Sequence, residues 1–125
     1  MKRDLDAIRA ILQALEDQGD VRGINAKHVE GYDADVVNYN AALLIEAGFV
    51  HGSVSRTIGK SSPAPVHARQ MTWNGHELHD AIRSPEIFQK VKDAFAATGS
   101  WSFAALLSVA QGIIAKLATK AAGLE

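Results

Sequence analysis

Apolar residues recur at helical spacing from the start of the chain. Leu5, Ile8, Leu12 and Leu15 form a stripe that Ile11 widens, which predicts an amphipathic helix over 3–18. Asp4 and Asp6 stand at its electropositive end, and Gly19-Asp20 stops it. Residues 22–31 have no helical period; the alternation of Ile24, Ala26 and His28 predicts a short strand. The helical period returns over 33–47, where Val36, Tyr39 or Asn40, Leu43, Leu44 and Ala47 face a core. Asp33 is placed to cap this helix and Gly48 to end it in the left-handed conformation.

Two extended segments follow, 50–58 and 66–73, joined by Gly59-Lys60-Ser61-Ser62-Pro63-Ala64-Pro65. They predict a β-hairpin with a mobile tip. Thr72 is placed to cap a helix over 73–83 that carries Gly75 in its first turn. Ser84-Pro85-Glu86 is a strong helix start: a hydroxyl cap, a proline in the first turn and an acid near the dipole. Ile87, Phe88, Val91 and Phe95 form the stripe of that helix, and Thr98-Gly99 ends it. Ser100 or Ser102 then caps a last helix reaching about Lys120, lined by Phe103, Leu106, Leu107, Ala110, Ile113, Ile114 and Leu117.

The predicted order is helix, short strand, helix, hairpin and three helices, an α+β and mainly helical fold. Its first five elements match a compact winged helix-turn-helix with a β-hairpin wing, occupying 1–83. Residues 84–125 form a helical extension, packed on the same domain or mediating dimerisation. One part of the match is thin. Between Gln18 and Asp33 the second helix of such a domain is reduced to a turn or replaced by residues 24–30.

Composition narrows the function classes. The chain has 125 residues, is 47% hydrophobic and contains no cysteine, so disulfides, thiolate metal sites and cysteine nucleophiles are excluded. No uninterrupted apolar run approaches the roughly 18 residues of a membrane span, and no signal peptide opens the chain. The expectation is a cytoplasmic protein without a membrane partner. The formal charge of −1 argues against a general polyanion binder, while leaving room for a local basic patch.

The segment GYDADVVNYNAALLIEAGFV, a following strand, and MTWNGHELHDAIRSPEIFQKVK resemble a family of small uncharacterised bacterial and phage-associated proteins, a domain of unknown function. The opening KRDLDAIRAILQALE fits the same family, and the likeness spans about residues 2–95. A broader resemblance is to winged-helix regulators. Leu43, Leu44, Glu46, Ala47, Gly48, Phe49 and Val50 match the end of their third helix, and Met71, Thr72, Trp73, Asn74 and Gly75 match their strand-to-helix motif. These motifs describe packing and turns and carry no chemistry. The resemblance implies that 33–47 is a DNA-recognition helix and 50–72 a wing.

Charge counting tests that implication. Residues 1–50 hold five basic groups against nine acidic ones, a net of −4. The predicted recognition helix contains Asp33, Asp35 and Glu46 and no Lys or Arg, whereas phosphate contacts need cations. Asn38 and Asn40 are the residues on it suited to reading adenine. The wing carries Arg56, Lys60 and Arg69, placed for a backbone or minor-groove contact. An ordinary charged hairpin surface and a nucleic-acid contact are the two readings of those cations. The candidate nucleic-acid-binding set is therefore Asn38, Asn40, Arg56, Lys60 and Arg69.

Other chemistry is weaker. His76 and His79 are three apart on one predicted helix, where zinc proteases need four, and His51 and His67 lie on the two hairpin arms. Ordinary surface or half-buried histidines are the simpler reading, and no metal or cofactor is expected. No nucleophile elbow or phosphate-binding loop is present. The expectation is a non-enzymatic, phage-related regulatory factor that touches nucleic acid through its wing. The alternative is a protein–protein interaction module on the same scaffold, with homodimerisation as one role for the C-terminal helices.

Overall fold

The computed structural model describes residues 2–18, 20–55 and 63–123. The chain divides into two compact units, the first running to His76 and the second beginning at Glu77.

The first unit opens with α1 (Leu5–Gln18), whose buried face is Ala7, Ile8, Ile11, Leu12 and Leu15. Asp4 caps it, its carboxylate accepting the Ala7 amide at 3.1 Å. The expected strand over 24–28 is reduced to one residue pair. Ile24 bridges to Ala68 through two backbone hydrogen bonds of 2.7 and 2.9 Å. Ala26–His28 then form one turn of 3-10 helix. Asn25 accepts the Lys27 amide there, while His28 Nδ1 accepts the Asn25 amide at 3.0 Å. These reciprocal local bonds satisfy the backbone without a strand partner. The bridge also requires Gly23. Its φ is +71°, and a Cβ at this position would overlap the Ala68 carbonyl oxygen.

Helix α2 (Ala34–Glu46) follows as expected. Asp33 stands at its N-cap with extended backbone, although its side chain makes no capping bond. Gly48 has the expected positive φ, +84°. The hairpin is shorter than its sequence pattern: β1 is Val50–Val54 and β2 is Val66–Met71, paired antiparallel. Residues 56–58 of the first predicted arm and 59–62 of the tip lie outside the described residues, whereas the second arm is described throughout and ends as a strand at Met71. Helix α2 packs on α1 and on both strands, and Val37, Ala41 and Leu44 meet this common core.

Thr72 fastens the hairpin to α3 (Trp73–Ile82). Its hydroxyl donates to the Gly48 carbonyl at 2.6 Å and accepts the Gly75 amide at 3.1 Å, while its own amide donates to the Phe49 carbonyl. The backbones approach so closely that a Cβ on Gly75 would overlap the Phe49 carbonyl oxygen. This explains the glycine in the first turn of a helix, where its propensity is poor.

In the second unit, α4 (Pro85–Thr98) buries Phe88, Val91 and Phe95. Ser84 caps it, and Gly99 ends it in the left-handed conformation. Of the two candidate caps for α5 (Phe103–Ala121), Ser102 is the one used: its hydroxyl accepts the Ala105 amide at 3.1 Å. Phe95, Trp101 and Phe103 stack through the connection, with Trp101 and Phe103 edge-to-face at 5.4 Å. Within α5 only Leu106 and Ala110 are fully buried. Helix α5 is long and apolar enough to cross a membrane by length and composition alone. Its scattered Ser108, Gln111 and Lys116 break the apolar run without lowering the average enough to exclude it.

The observed architecture is thus α+β and mainly helical, with a small antiparallel hairpin flanked by helices.

Candidate functional site

Of the residues singled out for nucleic-acid contact, the three described ones, Asn38, Asn40 and Arg69, do not come together on one surface. Two residues along an α-helix turn the side chain by about 200°, so Asn38 and Asn40 project from nearly opposite sides of α2. Each side meets a different part of the first unit. Asn40 is wholly buried against the start of α1. Its Oδ1 accepts the Asp4 amide at 2.9 Å, and its Nδ2 donates to the Val36 carbonyl at 2.9 Å. Asn38 is 8% exposed, and its Oδ1 accepts the Val66 amide at 3.1 Å, at the point where β2 begins.

Reading adenine needs an exposed amide, and both asparagines are buried. In this arrangement no base edge reaches either amide, and both side chains hold the fold together. Asn40 completes the cap of α1 across 36 positions of sequence. In a capping box, the third helical residue reaches back to the cap amide. That residue here is Ala7, which cannot do so, and Asn40 supplies the acceptor instead. The signal was present in the sequence. From Val36 to Ile45 the helix has no charged residue, and a helix without a charged face packs on more than one side.

What α2 does expose is acidic. Ala34, Asp35 and Glu46 are exposed, and the helix carries no cation. The two carboxylates oppose a phosphate backbone on this face.

The hairpin keeps one of the three candidate cations among the described residues. Arg56 and Lys60 lie outside the described residues. Arg69 is exposed and occupies a β-bulge: His51 pairs with Gln70 and Gly52 with Ala68, which leaves Arg69 without a cross-strand partner. A bulge re-aims its side chain away from the regular alternation, and sequence alternation alone gives no sign of it. Arg69 lines an open depression of about 350 Å³ together with Glu16, Asp20, Val21, Gln70 and His76. Cation and carboxylates are interleaved there.

Asp20 also accepts the Arg22 amide at 2.8 Å and lies 3.9 Å from the Arg22 guanidinium. The amide bond, then hydrogen bonds from Gln18, hold its carboxyl below the ordinary aspartate value of 3.8.

The histidines do not assemble. The hairpin pairs His51 with Gln70 and His67 with Ser53, so they are not cross-strand neighbours. His79 is buried and His76 exposed on the same helix. Among the described residues, no group of three or more His, Asp or Glu has the arrangement of a metal site.

An open groove of about 510 Å³ lies on the first unit between α1 and the segment 24–32. Ala10 and Ala14, one helical turn apart, form part of its floor with buried Ile24 and Val29. Exposed Asp6, Asp17 and Glu30 line it above them. No motif marked this groove, because the residues that build it are ordinary helix-surface types drawn from two distant segments.

A family model described as "Hypothetical protein (DUF2513)" matches residues 2–101. The chain is similar to an uncharacterized protein of Haemophilus influenzae, with 34% identity over 119 residues that cover 94% of this chain and 98% of that protein. No solved structure matches.

Proposed function

The chain belongs to the DUF2513 family, and on that footing we propose that it is a non-enzymatic protein-interaction module built on a winged-helix-like scaffold. The order α1, bridge, turn, α2, hairpin supports the scaffold reading, with Ile24 standing as a vestigial third strand beside β2 and the 3-10 turn in place of the usual second helix. The observation that carries the functional reading is the state of α2. The helix that a winged-helix regulator presents to DNA has its two asparagines buried in structural hydrogen bonds, and the charged groups it shows to solvent are carboxylates. Affinity for a phosphate backbone comes from cations, and this face has none. A cytoplasmic location and a regulatory role, with the family's phage association, belong to the same proposal.

A second reading has one specific support. Arg69 is exposed at the bulge of the wing, and Arg56 and Lys60 continue the same basic hairpin in sequence. On that reading the wing alone touches the phosphate backbone.

Duplex-DNA binding followed by fluorescence anisotropy against salt separates the two. The interaction-module reading predicts no saturable binding at 10–20 mM salt, on the order of conditions that favour nonspecific contacts. Saturable binding that weakens steeply with salt, and is lost in an Arg56→Ala/Lys60→Ala/Arg69→Ala variant of unchanged melting temperature, would establish the wing reading instead.

A further inference from the structure

We propose that the open edge of β1 pairs with the same edge of a second copy of the chain, antiparallel about a twofold axis through Ser53, so that two hairpins join into one sheet. The inference stands apart from the question of nucleic-acid binding. It places a self-contact on the hairpin rather than on the C-terminal helices.

The direction of the backbone groups in the hairpin identifies the edge. Ile24 takes both backbone bonds of Ala68, and the Val66 amide donates to the Asn38 side chain. Ala68 and Val66 therefore turn away from β1. In an antiparallel ladder, residues that bond across alternate with residues that do not, and opposite residues behave alike. Ala68 stands opposite Gly52, and Val66 opposite Val54. Gly52 and Val54 thus turn their N–H and C=O groups away from β2, toward the outer edge of β1. Ser55, the next residue, bonds inward to the Pro65 carbonyl, as the alternation requires.

The two edges of the hairpin differ. The outer edge of β2 is taken by Ile24 at Ala68 and by Asn38 at Val66, and a bulge at Arg69 interrupts it. Among the described residues nothing pairs with the outer edge of β1. Exposed edges are commonly guarded by charged residues or proline, and residues 50–55 contain neither. Val54 is 40% exposed on this strand. Unlike an apolar face, an open strand edge specifies its occupant: another extended backbone.

The edge is complementary to itself. Gly52 and Val54 flank Ser53, so a twofold axis there sets Gly52 of each copy against Val54 of the other. Both pairs are then of the hydrogen-bonded kind, and every open group of Gly52 and Val54 finds a partner. Shape agrees with this register. A Cβ on Gly52 would lie 3.0 Å from Ile45 Cδ1, so this position faces α2 without a side chain of its own. Opposite residues share a face, and Val54 of the second copy fills that space over the half-buried Ile45. Charge agrees as well. A twofold axis brings like residues together, and this strand has no Lys, Arg, Asp or Glu to repel its copy. On the opposite face Ser53 meets itself and His51 meets Ser55, both polar pairings. A strand of five residues gives a smaller contact than the roughly 1,200–2,000 Å² of a stable complex, so the dimer is weak and reversible.

Sedimentation velocity on the full chain, from about 10 μM to about 1 mM, tests the association. The expected result is a reversible shift from monomer to mostly dimer across that range. Residue-resolved amide exchange locates the contact. The Gly52 and Val54 amides should slow by about fivefold or more between the two concentrations, while those along α5 stay unchanged. Val54→Lys adds a charge at an exposed edge position and should leave the chain monomeric at the highest concentration. Val54→Pro removes the outward N–H, which the hairpin does not use, and should do the same. Thermal melting at the lowest concentration shows that each variant is folded, and Val54→Lys decides the matter if the proline variant is not. A chain that stays monomeric throughout, or a Val54→Lys protein that dimerises as the parent does, would overturn the proposal. Protection that rises along α5 and not at Gly52 and Val54 would overturn it in favour of the C-terminal helices.

Discussion

Replacing Asn40 by alanine should cost about 2–3 kcal/mol of stability. The side chain is wholly buried and makes two hydrogen bonds of 2.9 Å. A typical internal hydrogen bond contributes about 1 kcal/mol net, and a donor left unsatisfied in the interior costs roughly 1–3 kcal/mol. The bond to Asp4 dominates. It satisfies the amide of the residue that caps α1, and alanine offers no acceptor in its place. The bond to Val36 counts for less, because that carbonyl lies within the hydrogen-bond ladder of α2. Asp4 is only half-buried, so water partly replaces the lost acceptor and holds the total to the stated range.

For a chain of this size, about 2–3 kcal/mol lowers the melting temperature by roughly 8–12 °C. Thermal and urea unfolding followed by far-UV circular dichroism measure this directly. Asn40→Asp keeps an acceptor for Asp4 but buries an unpaired carboxylate beside the Val36 carbonyl, and should be at least as damaging at neutral pH. An Asn40→Ala protein melting within about 2 °C of the parent would refute the structural role. If that variant also lost affinity for DNA, Asn40 would be a base-reading residue after all.

Other expectations follow from the same contacts. Asn38→Ala should speed hydrogen exchange at the Val66 amide and destabilise the chain by about 1–2 kcal/mol, as read by exchange and urea titration. Gly75→Ala should cost about 2 kcal/mol or more, because its methyl must displace the Phe49 carbonyl, and a melt indistinguishable from the parent would refute that close approach. Thr72→Val keeps the shape but loses the cap on α3 and the bond to Gly48; about 1–2 kcal/mol is expected by urea unfolding. Asp20 has a folded pKa below its unfolded value, so its stabilising contribution is present above the unfolded value and disappears as pH falls through the folded one. An NMR titration should place its carboxyl below 3.8, and Arg22→Pro, which removes the donating amide, should return it toward that value.

Much of both units was legible because the signals are local. The caps at Ser84 and Ser102, the glycine after α2 and the stripe of α1 each depend on residues within a turn or two of one another. The segment 24–28 was legible only in part. Alternation predicts an extended residue at Ile24, but the reciprocal bonds of Asn25 and His28 close a turn directly after it. The burial of the two asparagines was hard to read for a different reason. Residue type alone presents an asparagine on a helix as a reader of adenine, and only tertiary packing shows which side of α2 is covered. That packing covers the sides bearing Asn38 and Asn40, and the uncharged run from Val36 to Ile45 does not by itself say which of its positions are covered. The groove was illegible because α1 and residues 24–32 build it together, and neither contributes a recognisable motif.

The central claim is that α2 does not face nucleic acid. Amide chemical-shift mapping of the isotope-labelled chain with a duplex of about 20 base pairs at low salt tests it most directly. The account predicts that the amides of Ala34, Asp35, Tyr39 and Glu46 stay in place as duplex is added. Saturable, salt-sensitive shifts running along α2 through these residues would contradict it.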